Sequence, residues 1–193
     1  MHMKTFEDVV GFHGHSCPGL AIGYRVSLVA LKTIGRRARD EEMVAIVENN
    51  SCSVDAVQVM TGCTFGKGNL IFRDYGKQVY TFIKRLSGEG MRISVVWAFP
   101  ETDEEKRMWD RYIKGERFEE VLRVVHGRKS KKTEMILRAG DDELFAVTRR
   151  KMVVPDEAKI YASLRCAQCG EKMMESRARV KNGEIVCIPC FET

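Results

Sequence analysis

Apolar residues recur at three- and four-residue steps through Leu20, Ala21, Tyr24, Leu28, Leu31 and Ile34. This predicts a buried helix over residues 18–34, with Pro18 in its first turn and Gly35 at its end. Residues 5–12 read as a short helical turn running into the glycine-rich loop GFHGHSCPG. Residues 43–48, MVAIVE, predict a buried strand. Ser53 can cap a second helix with Val54, Val57 and Val59 inside and Gly62 closing it. Strand-like runs follow at 69–73, 78–84 and 91–99. Thr102 and Glu105 form a capping box for a helix over 103–114, and a further helix fits 116–126. Residues 127–133, GRKSKKT, read as a basic loop, 134–138 and 144–154 as short strands, and Pro155 leads into a last module. The order helix, strand, helix, strands, helices does not repeat as βαβ. The expected fold class is therefore α+β: an N-terminal core domain over 1–155 and a small C-terminal module over 156–193. Gly19 and Gly23 share one face of the long helix. They permit close approach of another backbone, in the core or at a subunit contact.

A chain of 193 residues, 44% hydrophobic and 31% charged, can bury a core without staples. The net charge of +5 is uneven. Residues 1–122 hold 17 basic and 17 acidic side chains, so the whole excess lies in 123–193, with 15 and 10. MHMKTFEDVV has acidic residues where a signal peptide needs an apolar run, and the apolar stretch 20–31 is interrupted by Arg25 and too short to span a bilayer. A cytoplasmic protein without a membrane segment is expected. In a reducing compartment, seven cysteines point to metal binding or reactivity rather than lasting bridges, and the odd count argues against a closed disulfide framework.

Four cysteines lie in the tail as Cys166-x2-Cys169 and Cys187-x2-Cys190, with seventeen residues between the pairs. Two residues between cysteines let a tight turn aim both thiolates at one point, and two such turns supply a tetrahedron of sulfurs for zinc. Gly170 eases the first turn, and Asn182-Gly183 is a hairpin signal. Four thiolates leave no open position, so the role expected of this zinc is structural. The bland alternatives are two unrelated pairs or a CxxC redox couple. The module's positive charge keeps a nucleic-acid partner in view. Against it, Arg165, Lys172, Arg177, Arg179 and Lys181 are interleaved with acids, and no aromatic platform accompanies them.

The other three cysteines are Cys17, Cys52 and Cys63. In HGHSC, His13, His15 and Cys17 alternate, and alternate side chains of an extended segment share a side. His15 and Cys17 can therefore reach one metal, with His13 as a third ligand or a support. Cys17 also precedes a helix, whose first amides favour a thiolate. Cys52 precedes the second helix and Cys63 follows it, and either joins the cluster or is a small buried core residue. Thiolate plus imidazole suits zinc, nickel, copper or iron, with zinc the first expectation. Asp55 and Gln58 lie three apart on one helix, where they can orient ligands, accept a proton or simply face solvent. GCTFGKG is not a Walker loop: three residues, not four, precede Gly-Lys, and Gly68 stands where Ser or Thr would hold magnesium. Its glycines and Lys67 can still cradle an anion, or merely make a tight turn.

FHGHSCPGLAIGYR, CSVDAVQVMTGCTFGKGNLIFRDYGK and the CxxC…CxxC tail together resemble the FmdE family of formylmethanofuran dehydrogenase components, from about Phe12 to Lys77 and again at the zinc module. The resemblance implies an α+β domain with a treble-clef-like or ribbon-like zinc module, and a homodimer. The family takes its name from the molybdenum or tungsten enzyme that captures carbon dioxide as formylmethanofuran in methanogenesis, whose pterin cofactor is held by other subunits. Other subunits of that type are thus candidate partners. Members also occur in organisms that make no methane, so the name fixes family rather than reaction. The residues carried over are His13, His15, Cys17, Cys52 and Cys63, and the zinc ligands Cys166, Cys169, Cys187 and Cys190. Three functions stand beside one another: a metal-binding protein of a formylmethanofuran dehydrogenase or related redox system, a thiol enzyme using Cys17 or Cys63, and a nucleic-acid-binding regulator working through the basic tail.

Overall fold

The computed structural model describes residues 3–35, 37–40 and 42–193. These form two compact units, Met1–Glu157 and Ala158–Thr193. In chain order the first holds α1 (Phe6–His13), α2 (Pro18–Ile34), β1 (Met43–Val47), α3 (Ser53–Thr61), β2 (Leu70–Phe72), β3 (Val79–Lys84), β4 (Glu89–Val95), α4 (Asp103–Ile113), α5 (Glu119–Arg138), α6 (Asp141–Leu144) and β5 (Phe145–Lys151). The second holds β6 (Ser163–Arg165), β7 (Lys172–Met174), β8 (Arg179–Lys181), β9 (Glu184–Val186) and α7 (Ile188–Glu192).

The strands of the first unit form one mixed sheet, ordered β2-β1-β3-β4-β5. Cross-strand register lines up Ala45, Phe82 and Met91 in one row and Val47, Tyr80 and Ile93 in the next. Both rows are buried in a single cluster with Ala21, Val26 and Ala30 of α2. β1 and β2 are parallel neighbours joined through α3. The fold therefore contains a single βαβ unit, which does not repeat, and the other strand pairs are antiparallel, as an α+β domain requires. β2 falls within the strand expected at 69–73; its parallel pairing with β1 is the part that strand patterning does not specify.

α2 and α3 approach backbone to backbone at Gly23 and Ser53. A Cβ on Gly23 would lie 2.1 Å from the Ser53 carbonyl oxygen, so the small face of α2 serves this helix contact. Arg25, which interrupts the apolar stripe of α2, is buried. Its guanidinium donates to the carbonyls of Ile136 (2.6 Å), Leu137 (3.0 Å) and Ala139 (2.7 Å) and to Asp141 Oδ1 (2.7 Å). The last carbonyls of α5, which lack helical partners, are satisfied by that charge.

The expected loop at 127–133 and strand at 134–138 are instead the second half of α5. Its inward stripe runs Val121, Val125, Arg128, Lys132, Ile136, with two cations at positions where an apolar residue would signal a helix. Arg128 is admitted because it pairs with Glu101 and lies 4.5 Å over the Trp109 ring. The Lys132 ammonium lies 5.4 Å from the Phe99 ring, and burial, followed by repulsion from Arg128, pulls its pKa down. Among the described residues, no helix is long and apolar enough to cross a membrane.

Candidate metal centres

The first site is built where α1 gives way to α2. Thr5 and Asp8 form a capping box that starts α1. Gly14 ends it in the left-handed region (φ 92°), donating its N–H to the Val10 carbonyl (2.8 Å). That turn folds the chain back, and the His13 and His15 rings come to 4.5 Å between centroids. The grouping thus arises from a helix end and a glycine turn, not from an extended alternation. Cys17 then N-caps α2, its Sγ accepting the Leu20 N–H at 3.4 Å. One ligand atom from each of His13, His15 and Cys17 lies within 4.8 Å of the other two.

The His13 ring is held from α3. Its Nδ1 lies 2.7 Å from Asp55 Oδ2, and its Nε2 is buried with no hydrogen-bond partner among the described residues. Cys52 sits at the start of α3 and makes no capping bond. Its thiol pKa is raised, first by burial and then by the adjacent Cys17 thiol. Cys52 is not among the three donors that lie within 4.8 Å of one another, though it neighbours Cys17. Sequence reasoning missed what lies behind Cys52. Tyr80 Oη lies 2.6 Å from Ser53 Oγ and 2.7 Å from Gln78 Oε1, and Asn49 Oδ1 accepts from the Ser51 and Ser53 hydroxyls (2.8 and 3.2 Å). This network pins the first turn of α3. Only the polar string Asn49 to Ser53 hinted at it, because Tyr80 reads as one more apolar strand residue.

Two expected site residues are placed elsewhere. Cys63 is fully buried in the sheet–helix core, donates to the Met43 carbonyl (3.3 Å), and is pushed up to about 11 by burial. A thiol so placed has neither access nor thiolate character for nucleophilic work. Lys67 Nζ donates to the carbonyls of Arg39 (3.3 Å) and Asp40 (3.1 Å), so it ties down its loop. Asn69 completes that closure, donating to the Asp40 and Met43 carbonyls and accepting from Thr64 N. Gln58 joins it through the Phe65 N–H (3.2 Å).

The second site occupies the tail. Sγ atoms of Cys166, Cys169, Cys187 and Cys190 all lie within 4.8 Å of one another. Gly170 (φ 76°) closes the first knuckle, and Asn182 and Gly183 (φ 53° and 84°) turn β8 into β9. Cys187 and Cys190 open α7, so a helix carries the second pair, as in a treble clef rather than a ribbon of strands alone. The N–H groups of Cys169 (3.5 Å) and Cys187 (3.3 Å) point at Cys166 Sγ and lower its pKa to about 6. Cys190 is pushed up to about 12, chiefly by the Cys187 thiol. Of the basic residues here, Arg165 donates to the Gly170 carbonyl and Lys181 to that of Cys190, so both brace turns of the module.

The family profile described as FmdE, Molybdenum formylmethanofuran dehydrogenase operon, matches residues 12–146. The chain belongs to the FmdE family. A prokaryotic dksA/traR C4-type zinc finger profile matches residues 159–193, so this member carries a C4 zinc-finger module after the family domain. A crystal structure of a tungsten formylmethanofuran dehydrogenase FmdE-like protein from Syntrophus aciditrophicus superposes with a TM-score of 0.61, covering 99% of this chain and 97% of that one at 23% identity. That likeness is one of fold. An Archaeoglobus fulgidus protein named "Probable S-adenosyl-L-methionine-binding protein" is 33% identical over 93% of this chain. The chain spans about half of that relative's length (50%).

Proposed function

We propose that this FmdE-family protein binds two metals per chain and serves a molybdenum or tungsten formylmethanofuran dehydrogenase or a related redox system. The N-terminal cluster holds a transition metal, zinc first among candidates, through His13 Nε2, His15 and Cys17, and the tail holds a structural zinc through its four cysteines. One observation carries the N-terminal reading: the buried, unpartnered Nε2 of His13. Buried ring nitrogens are ordinarily satisfied. Here Asp55 takes Nδ1, which leaves Nε2 as the lone-pair nitrogen, aimed from a fixed ring. A carboxylate–histidine–metal arrangement has this form. Three protein donors leave a position open to a water or substrate oxygen, where a bound metal supplies Lewis-acid polarisation or a more acidic water. Asp55 holds the His13 ring, the α2 amide at Leu20 orients the Cys17 sulfur, and His15 is the exposed member of the set.

Metal counting tests the reading. Wild type should bind two metals per chain, Cys17→Ser one, and Cys166→Ser should lose the other. A single metal in both wild type and Cys17→Ser would refute it. The name of the Archaeoglobus relative makes S-adenosyl-L-methionine a ligand to titrate. Binding that disappears in Cys17→Ser would place it at this centre, and binding that persists would place it elsewhere.

A further inference from the structure

The metal reading uses Cys17 and leaves Cys52 without a role, although the two thiols lie together. Cys17 stands at the start of α2 and Cys52 at the start of α3. These starts meet at close range: a Cβ on Gly19 would lie 3.3 Å from Cys52 Cβ, and one on Gly23 would strike Ser53. After burial, the neighbouring Cys17 thiol is what raises the Cys52 thiol pKa. Both cysteines are half-exposed, whereas Cys63 is sealed in the core. The Tyr80–Ser53–Asn49 network fixes the turn that carries Cys52, and the Leu20 amide fixes Cys17 Sγ. The pair is thus held on two helix starts in close contact and partly accessible, which favours a short bridge.

We propose that Cys17 and Cys52 form a reversible disulfide, by exchange with a small-molecule disulfide, and that this bond withdraws Cys17 from the N-terminal metal set. The Cys17 thiolate attacks one sulfur of the small disulfide, expels one thiolate and forms a mixed disulfide. Cys52 then gives its proton to solvent and attacks Cys17 Sγ, expelling the second thiolate. Two protein thiols are oxidised, and one small disulfide is reduced to two thiols. A metal takes cysteine as its thiolate, and a bridged sulfur carries no thiolate charge, so bridging and ligation exclude each other. The gating half of this proposal rests on the metal reading above, and the bond itself does not.

Two measurements on the full chain separate the halves. Protein stripped of metal is equilibrated with oxidised glutathione, and its peptides are mapped by mass spectrometry. A linked pair containing Cys17 and Cys52, reversed by dithiothreitol, is expected. Cys52→Ser should stop with glutathione on Cys17. Free or separately modified Cys17 and Cys52 in wild type would overturn the bond. In parallel, metal-loaded protein is counted before and after oxidation. The expected result is a fall from two metals per chain to one, restored by reductant and added metal. Two metals retained beside a formed bridge would overturn the gating. A reduced protein that never holds a second metal would overturn the metal reading and the gating together, while the mapped bridge would still stand.

Discussion

The two cysteine-bearing sites of this chain are built on opposite plans. In the tail, every donor comes from a local knuckle, and almost nothing else holds the unit together. Between Ala158 and Thr193, only Cys166 and Val186 are buried among the cysteine and aliphatic side chains. In the N-terminal cluster, the donors His13, His15 and Cys17 are also local, but their orientation comes from Asp55 on α3, forty-two positions from His13. That cluster is mounted on a sheet–helix core which stands without it. On the function proposed above, donor count and support go together. Four thiolates on thin support would make a closed site whose metal substitutes for a core, and three donors on a rigid scaffold would leave a position for chemistry.

Metal removal should separate the two plans most sharply. Chelation is expected to abolish amide protection throughout residues 158–193, while the sheet of the first unit keeps its protection and a cooperative unfolding transition. Hydrogen exchange followed by mass spectrometry reads both in one sample. Tail protection that survives chelation would remove the contrast.

The scaffold of the N-terminal cluster is next. Gly23→Ala must displace the α3 backbone at Ser53, because the new methyl would sit 2.1 Å from a carbonyl oxygen. A loss of about 1–3 kcal/mol or more in the first unit is expected from urea unfolding, along with weaker metal binding at the cluster. An unchanged transition would mean that α2 and α3 are not in such close contact.

Asp55→Ala tests the support itself. Losing the carboxylate frees the His13 ring, and removal of such a partner typically costs about 10–100-fold in metal affinity. Competition with a chromogenic chelator should show that loss at the cluster and none at the tail. Equal losses at both, or none, would dissolve the distinction between the two sites.

The smallest effect concerns Cys63. Its folded pKa, about 11, exceeds the ordinary thiol value of 9.0. The unfolded chain therefore gives up this proton first as pH rises. The associated stability is fully present below about pH 9 and is lost as pH climbs through about 11. The thermal midpoint of the first unit should fall more steeply over that window in wild type than in Cys63→Ala. In folded wild type at about pH 8, below the ordinary thiol range, iodoacetamide should label Cys17 and Cys52 in metal-free protein and leave Cys63 untouched.

Local chemistry was readable from the chain, and long-range chemistry was not. The Cys166–Cys190 spacing and the Asn182-Gly183 turn each state a geometry within a few residues, HGHSC names its donors though not the turn that gathers them, and the donors do converge in two groups. The helix 18–34 announces itself by its period. What failed to show depends on partners distant in sequence. Arg128 and Lys132 disguise the inner face of α5, because Glu101, Trp109 and Phe99 that make them acceptable lie on other elements. Lys67 reads as an anion ligand from sequence, and its carbonyl partners at Arg39 and Asp40 emerge only in the fold. Cys63 resembles a reactive thiol until the core closes over it. Asp55 reads as an orienting group from sequence, but its partner, His13 Nδ1, emerges only when α1 and α3 are packed together.

The account turns on His13 Nε2, His15 and Cys17 holding one metal. X-ray absorption tests this most directly, with cobalt loaded into the N-terminal cluster while zinc stays in the tail, so that each centre is read at its own edge. The cobalt edge should show one sulfur and two imidazole nitrogens beside a light oxygen donor, with the sulfur lost in Cys17→Ser. The zinc edge should show four sulfurs in both proteins. Cobalt surrounded by four sulfurs, or by no sulfur in wild type, would contradict the account.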